Sequence, residues 1–226
     1  MAKVLLLTAS GLAREVIASI AQSGDHQVVG LLDDNEELHG SRIGGVSVLG
    51  GLEMAVERDE QLLICAGKGS SRAAIAARLG LEAERYATHI HPTFVRGERT
   101  VVGYGSIILA GCVATCDVEI GRHCVLMPRV TLTHDNVLGD FATMAAGVTL
   151  GGRVIVGQSA YLGMNASVKQ DLSIGPYSIL GMGAVLLKNL PASQIWAGNP
   201  ARSLAEDAPT GAHAKLRDLK RQEATS

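Results

Sequence analysis

From Val102 to Leu186 a small aliphatic residue occupies every sixth position without a slip: Val102, Ile108, Ala114, Ile120, Leu126, Leu132, Leu138, Met144, Leu150, Val156, Leu162, Val168, Ile174, Leu180 and Leu186. An α-helix buries a stripe of period 3.6 and a lone strand one of period 2, so neither uses a period of six. Three short strands per 18-residue coil do, and they build a parallel β-helix of hexapeptide repeats. Glycine often follows the aliphatic residue, as at Gly103, Gly121, Gly139, Gly157 and Gly175, and the residue four places on is mostly small, as at Ser106, Cys112, Cys124, Ala142, Ala160 and Ala184.

Such a prism has a narrow interior. With 47% hydrophobic residues but only two Phe, one Trp and four Tyr, the composition fits it, and the 27 glycines are expected at its corners. The repeats fill the second half of the 226 residues, so a separate small domain is expected in front. The expected division is 1–88 for an α/β domain, 89–202 for the β-helix and 203–226 for a polar tail, which reads either as disordered or as forming a helical turn or two over Lys215 to Glu223.

A formal net charge of -2 without a basic cluster ahead of the tail gives no reason to expect nucleic acid as a partner. No apolar run approaches membrane-spanning length and no signal-peptide layout opens the chain, so a cytoplasmic protein with no membrane partner is expected. Cys65, Cys112, Cys116 and Cys124 lack paired C-x-x-C spacing and read as reduced packing residues.

In the front part, an apolar run from Lys3 to Thr8 leads through Ala9-Ser10-Gly11 into a helical pattern from Leu12 to Ala21, and a second run, Gln27 to Leu32, ends in Asp33-Asp34. Strand, glycine turn, helix, strand and carboxylate is the opening of a Rossmann-like, parallel-sheet nucleotide-binding unit. There Ser10 and Gly11 lie beside phosphates at a helix N-terminus, and Asp33 and Asp34 meet a sugar hydroxyl or base edge. The three-glycine dinucleotide fingerprint is absent, so an ordinary α/β unit reads equally well. A third strand, Gln61 to Ala66, enters Gly67-Lys68-Gly69-Ser70-Ser71-Arg72 and a helix, Ala73 to Leu79, that Ser70 or Ser71 would cap. Lys68 and Arg72 are expected either to hold an anionic ligand or to be ordinary charges of a solvated loop.

His134 is third in its hexapeptide, at an exposed corner, and Asp135 follows it. An imidazole there, with a carboxylate to fix its tautomer, is equipped as a general base. The 18-residue coil stacks Cys116, His134, Gly152 and Gln170 in one column, and Asp117, Asp135, Arg153 and Asp171 in the next. Gly152 would then offer a bare backbone N–H beside the base, able to polarise a thioester carbonyl. Arg153 between carboxylates reads as structural ion pairing. His123 and His134 lack a third histidine for a zinc centre, so no metal is expected.

The stretch Thr131 to Gly163, with His134-Asp135, Gly139-Asp140-Phe141 and Gly151-Gly152, and the closing Gly198-Asn199-Pro200-Ala201-Arg202, resembles the hexapeptide-repeat acetyltransferases of the sialic-acid O-acetyltransferase and UDP-4-amino-sugar N-acetyltransferase family. The likeness runs over about residues 3 to 203. It implies a left-handed β-helix, a homotrimer, acetyl-CoA between subunits as co-substrate, and a nucleotide-linked sugar acceptor held by the front domain. It further implies His134 as base, Asp135 as its partner, the Gly152 amide near the acetyl carbonyl, and Met164 and Met182 against the pantetheine arm. The chain departs from the family at Thr8 and Leu12, where a glycine and a histidine are usual, and at Thr143, where a second histidine is usual. The activity expected is acetyl transfer to an amine or hydroxyl of a sugar. The alternatives are O-acetylation of a free or lipid-linked sugar or other small alcohol, and a non-catalytic scaffold trimer.

Overall fold

A computed structural model of the chain describes residues 1–204. The expected helical turn at Lys215 to Glu223 lies outside the described residues. The front half follows the apolar runs: β1 (Ala2–Leu7), α1 (Gly11–Ser23), β2 (His26–Leu32), β3 (Arg42–Ile43), β4 (Val46–Gly50), α2 (Met54–Glu57), β5 (Gln61–Ile64) and α3 (Gly69–Leu79). The sheet order is β3-β4-β2-β1-β5, parallel except for the β3–β4 hairpin formed by the glycine-rich loop. β1, between β2 and β5, is buried on both faces from Val4 to Leu7, which accounts for its unbroken apolar run. Ser10 caps α1, its Oγ accepting from Ala13 N at 3.2 Å. α3 starts earlier than expected, at Gly69 with Lys68 as the N-cap residue, so neither Ser70 nor Ser71 caps it.

The second half is a left-handed parallel β-helix of three faces. The first face carries His89–Ile90, Ile107–Ile108, Val125–Leu126, Thr143–Met144, Tyr161–Leu162 and Ile179–Leu180. The second carries Val95–Glu98, Val113–Cys116, Thr131–Leu132, Thr149–Leu150, Ser167–Val168 and Val185–Leu186. The third carries Val101–Val102, Glu119–Ile120, Val137–Leu138, Ile155–Val156 and Ser173–Ile174. Strands in neighbouring coils pair at an offset of 18 residues, as in Thr131↔Thr149 and Leu132↔Leu150. Pairing begins at His89, a coil before the aliphatic run, whose six-residue register is interrupted at position 96 by an exposed arginine opposite Ala114.

Every sixth residue from Arg99 to Gly183 has a left-handed backbone, and only Gly105, Gly111, Gly147 and Gly183 among them are glycine. Corner glycines are therefore not chiefly there for their positive φ. At Gly163, for instance, a Cβ would stand 2.5 Å from Met182 N in the next coil, so close coil stacking is what requires glycine.

The front domain packs on the first face. Ile107 and Val125, pointing outward from the prism, join Leu12, Val16 and Ile20 of α1 in one buried cluster.

Candidate active site

His134 and Asp135 stand at the corner between the second and third faces. Asp135 takes the left-handed corner position, φ 60°, which turns its carboxylate back onto the ring: His134 Nδ1 and Asp135 Oδ2 are 2.6 Å apart. The side chain of His134 is 47% exposed, and Nε2 has no protein partner among the described residues. Gly152 lies one coil on, and a Cβ there would come within 2.3 Å of Nε2, so only glycine lets the ring lie against this backbone. The adjacent amide Arg153 N donates to His134 O at 2.9 Å, whereas the Gly152 N–H has no backbone acceptor among the described residues. Arg153 pairs with Asp171 at 2.6 Å, which leaves Asp135 to the histidine. The corner thus combines a tautomer-fixed imidazole with a free nitrogen and, beside it, an unengaged backbone donor.

A second feature is a cavity of about 930 Å³ between the front domain and the first face, lined by Thr8, Ser10, Lys68, Ser70, Tyr161 and Tyr177 among others. Lys68 is exposed there at the N-terminus of α3, with no ion pair among the described residues. Ser10 donates from Oγ to Cys65 O at 2.6 Å, tying the turn after β1 to the end of β5. Gly11 opens α1. Asp33 accepts from Ala9 N at 2.7 Å and from Asn35 N at 2.8 Å, so it shapes the same turn from beneath. Asp34 is engaged by Arg78 and by Leu52 N, and the Arg78 hydrogen bond holds its carboxyl below the ordinary value. Thr8 sits at φ 78° with its hydroxyl buried and without a hydrogen-bond partner among the described residues, and Leu12 is built into the α1 core.

Arg72 departs from expectation. It is fully buried and faces no ligand space; its guanidinium donates to the carbonyl oxygens of Ala66, Gly67, His123, Phe141 and Ala142 and to Thr143 Oγ1 at 2.9 Å. Burial without a carboxylate partner pushes its pKa down to about 10. Thr143, where the resembled family has a histidine, is accordingly a buried partner of this clamp. Beside it His123 is stacked on Phe141 and edged by Tyr86 and Tyr104, and burial, then the Arg72 charge, lowers it to about 4.

Met164 and Met182 both project at the corner between the first and second faces, 48% and 71% exposed, and Met164 borders a further cavity with Leu12, Met127 and Ala146. Within one chain, then, the structure gathers His134, Asp135 and Gly152 at one edge of the prism, and Ser10, Gly11 and Lys68 at the opposite face. It does not bring the two groups together. Tyr161, Tyr177 and Ile179 are cavity residues that sequence reading passed over; the signal available was two large outward side chains, Tyr161 and Ile179, paired one coil apart.

Residues 3–79 match the family model of the PglD N-terminal domain. No curated protein matches the chain. Among solved structures, it is similar to the acetyltransferase domain of PglB from Neisseria gonorrhoeae in complex with acetyl coenzyme A, at 25% identity over 89% of this chain and 98% of that one, TM-score 0.81. It is similar to a point mutant of perosamine N-acetyltransferase from Caulobacter crescentus in complex with CoA and GDP-perosamine, at 26% identity over 90% and 97%, TM-score 0.81. WeeI from Acinetobacter baumannii matches at 26% identity over 90% and 100%, TM-score 0.77. With a match to the PglD N-terminal domain joined to a left-handed hexapeptide-repeat β-helix, the chain is similar over most of its length to hexapeptide-repeat sugar acetyltransferases.

Proposed function

We propose that the chain moves an acetyl group from acetyl-CoA to the amine of a nucleotide-linked amino sugar by direct attack. The observation that carries this reading is the His134 corner, where Asp135 occupies Nδ1, Nε2 is free, and the Gly152 N–H is unengaged beside it. As the acceptor nitrogen bonds to the thioester carbon, Nε2 takes its proton. The Gly152 N–H stabilises the oxyanion, and collapse expels the CoA sulfur, which recovers the proton from the imidazolium. No covalent enzyme intermediate is needed.

The acceptor's phosphates are assigned to the cavity beside Ser10, Gly11 and Lys68, where α3 offers its first N–H groups and Lys68 its charge. Asp33 and Asp34 are assigned to the nucleoside end of the acceptor, Asp33 chiefly through the turn it holds, and Arg72 to positioning this loop from within. Acetyl-CoA is assigned to the strip between Met164, Met182 and the His134 corner, where the outward residues Thr149 and Ser167 are small. Complexes of the similar proteins with acetyl-CoA, or with CoA and GDP-perosamine, support this reading.

Because cavity and base lie on opposite sides of one prism, a complete site needs a second copy. A homotrimer supplies it in each interface, and the outward Val137 and Ile155, paired one coil apart on the third face, give an apolar patch for such contact. The reading is tested with a panel of UDP-, GDP- and CMP-linked amino sugars and acetyl-CoA, following free thiol. Release of CoA dependent on one nucleotide-linked amine supports it. Release with free or lipid-linked sugars only, and no thermal stabilisation by any nucleotide, overturns it in favour of an O-acetyltransferase; failure to bind acetyl-CoA would leave a scaffold. A Lys68→Glu chain mixed with a His134→Ala chain should recover activity in mixed oligomers.

A further inference from the structure

One polar cluster lies apart from both regions, at the seam where α1 turns into β2 and the first coil of the β-helix begins. Among the described residues it is the single set of three His, Cys, Asp or Glu side chains whose donor atoms converge: Asp25, His26 and His89, all within 4.8 Å of one another. Asp25 Oδ2 is 2.9 Å from His89 Nδ1 and 3.5 Å from His26 Nε2. Donor atoms about 2.1 Å from a shared tetrahedral metal stand roughly 3.4 Å apart, so the spacing suits a zinc-like ion.

The surroundings orient these donors. His89 is fully buried, and its other nitrogen, Nε2, is 2.7 Å from Ser19 Oγ. The second carboxylate oxygen of Asp25 accepts from Ser23 Oγ, leaving Oδ2 to face the two rings. A histidine held at its far nitrogen and a carboxylate held at its far oxygen are the supports that metal ligands carry. Asp25 and His26 are partly open to solvent, with side-chain exposures of 32% and 12%, so an ion has a way in and water can fill a fourth position.

Ser19, His89 and Asp25 also have the order of a nucleophilic triad, but Ser19 lies within α1, whose amides are committed to helical hydrogen bonds. It has no oxyanion donors, and an acyl-enzyme is not supported there.

We infer that Asp25, His26 and His89 form a structural site for one zinc-like divalent ion that staples the front domain to the first β-helix coil. Neutral rings and an ionised carboxylate are the forms a metal takes. On binding, the His89 ring proton moves from Nδ1 to Nε2 and is donated to Ser19 Oγ, and the His26 ring proton moves from Nε2, which contacts Thr88 O at 3.2 Å, to Nδ1, freeing Nε2 for the metal.

The test uses the full chain stripped with a chelator and titrated with Zn2+ alone, then with Co2+ as a spectroscopic probe. One equivalent of Zn2+ should bind and raise Tm, and Co2+ should give the visible bands of a low-coordinate site. Asp25→Asn and His26→Asn, both at the open side, should bind at least about tenfold more weakly, and Ser19→Ala about tenfold. His134→Asn should bind as the parent does. Absence of stoichiometric Zn2+ binding, or unchanged affinity in Asp25→Asn and His26→Asn, would overturn the inference. So would its loss in His134→Asn alone. None of these readouts depends on acetyl transfer, so the site and the proposed activity stand or fall separately.

Discussion

The His134 corner and the Arg72 seam are built in opposite ways. At the corner, two adjacent residues and one glycine a coil away complete the arrangement, half exposed, and the repeat itself supplies the alignment. At the seam, Arg72 is fully buried and links α3 to carbonyls on two different coils. The corner can be altered with little effect on folding, because its side chains meet solvent. The seam cannot, because removing Arg72 takes a donor from five backbone carbonyls and from Thr143 Oγ1 at once.

This contrast is broken first by placing a methyl group at the corner. Gly152→Ala should displace the His134 ring and lower turnover by about a hundredfold, with Tm close to that of the parent, since a displacement near 1 Å is enough for such a loss. Turnover within a few-fold of the parent would separate the ring's seat from its function. At the seam the expected balance is reversed. Arg72→Met takes the donor from the carbonyls of Ala66, His123 and Phe141, leaves Gly67 O only the Thr143 hydroxyl and Ala142 O only Val125 N, and should cost more than about 3 kcal/mol in denaturant unfolding. Arg72→Lys, with a charge but fewer donors, should fall between.

A smaller effect concerns pH. His123 has its pKa lowered to about 4 in the folded chain, against about 6.5 unfolded, so the unfolded state binds more protons between these values. The stability is intact above about pH 6.5 and is eroded as pH falls toward 4, by up to about 3 kcal/mol. His89, lowered in the same direction by burial, adds to the slope. His123→Phe, which keeps the ring stack, should flatten most of it; an unchanged slope would move the pH sensitivity elsewhere. The smallest effect belongs to the exposed Arg99–Asp117 pair, where Arg99→Ala should leave Tm unchanged within error.

The corner was legible because the period is a ruler: counting 18 residues on from His134 lands on Gly152, and the strand pairing at that offset follows. The main strands and helices of the front half were legible from apolar runs, whereas the helix caps were not: Ser10 caps α1, and neither Ser70 nor Ser71 caps α3. The role of Arg72 was not. An arginine at the first turn of a helix after a glycine loop reads as an anion ligand, and only the packing of α3 onto Phe141 and Thr143 shows that carbonyls take its donors. The coil before Val102 was hidden because Arg96 interrupts the aliphatic register. His26 and His89 carry no spacing that marks them as neighbours; the turn between α1 and β2 brings them together.

The most direct test of the account is turnover by His134→Ala with acetyl-CoA and the acceptor found in the panel, measured beside acetyl-CoA affinity and Tm. The account predicts a loss of at least about a hundredfold in kcat, with acetyl-CoA binding and Tm retained. Near-normal kcat in that variant would contradict it.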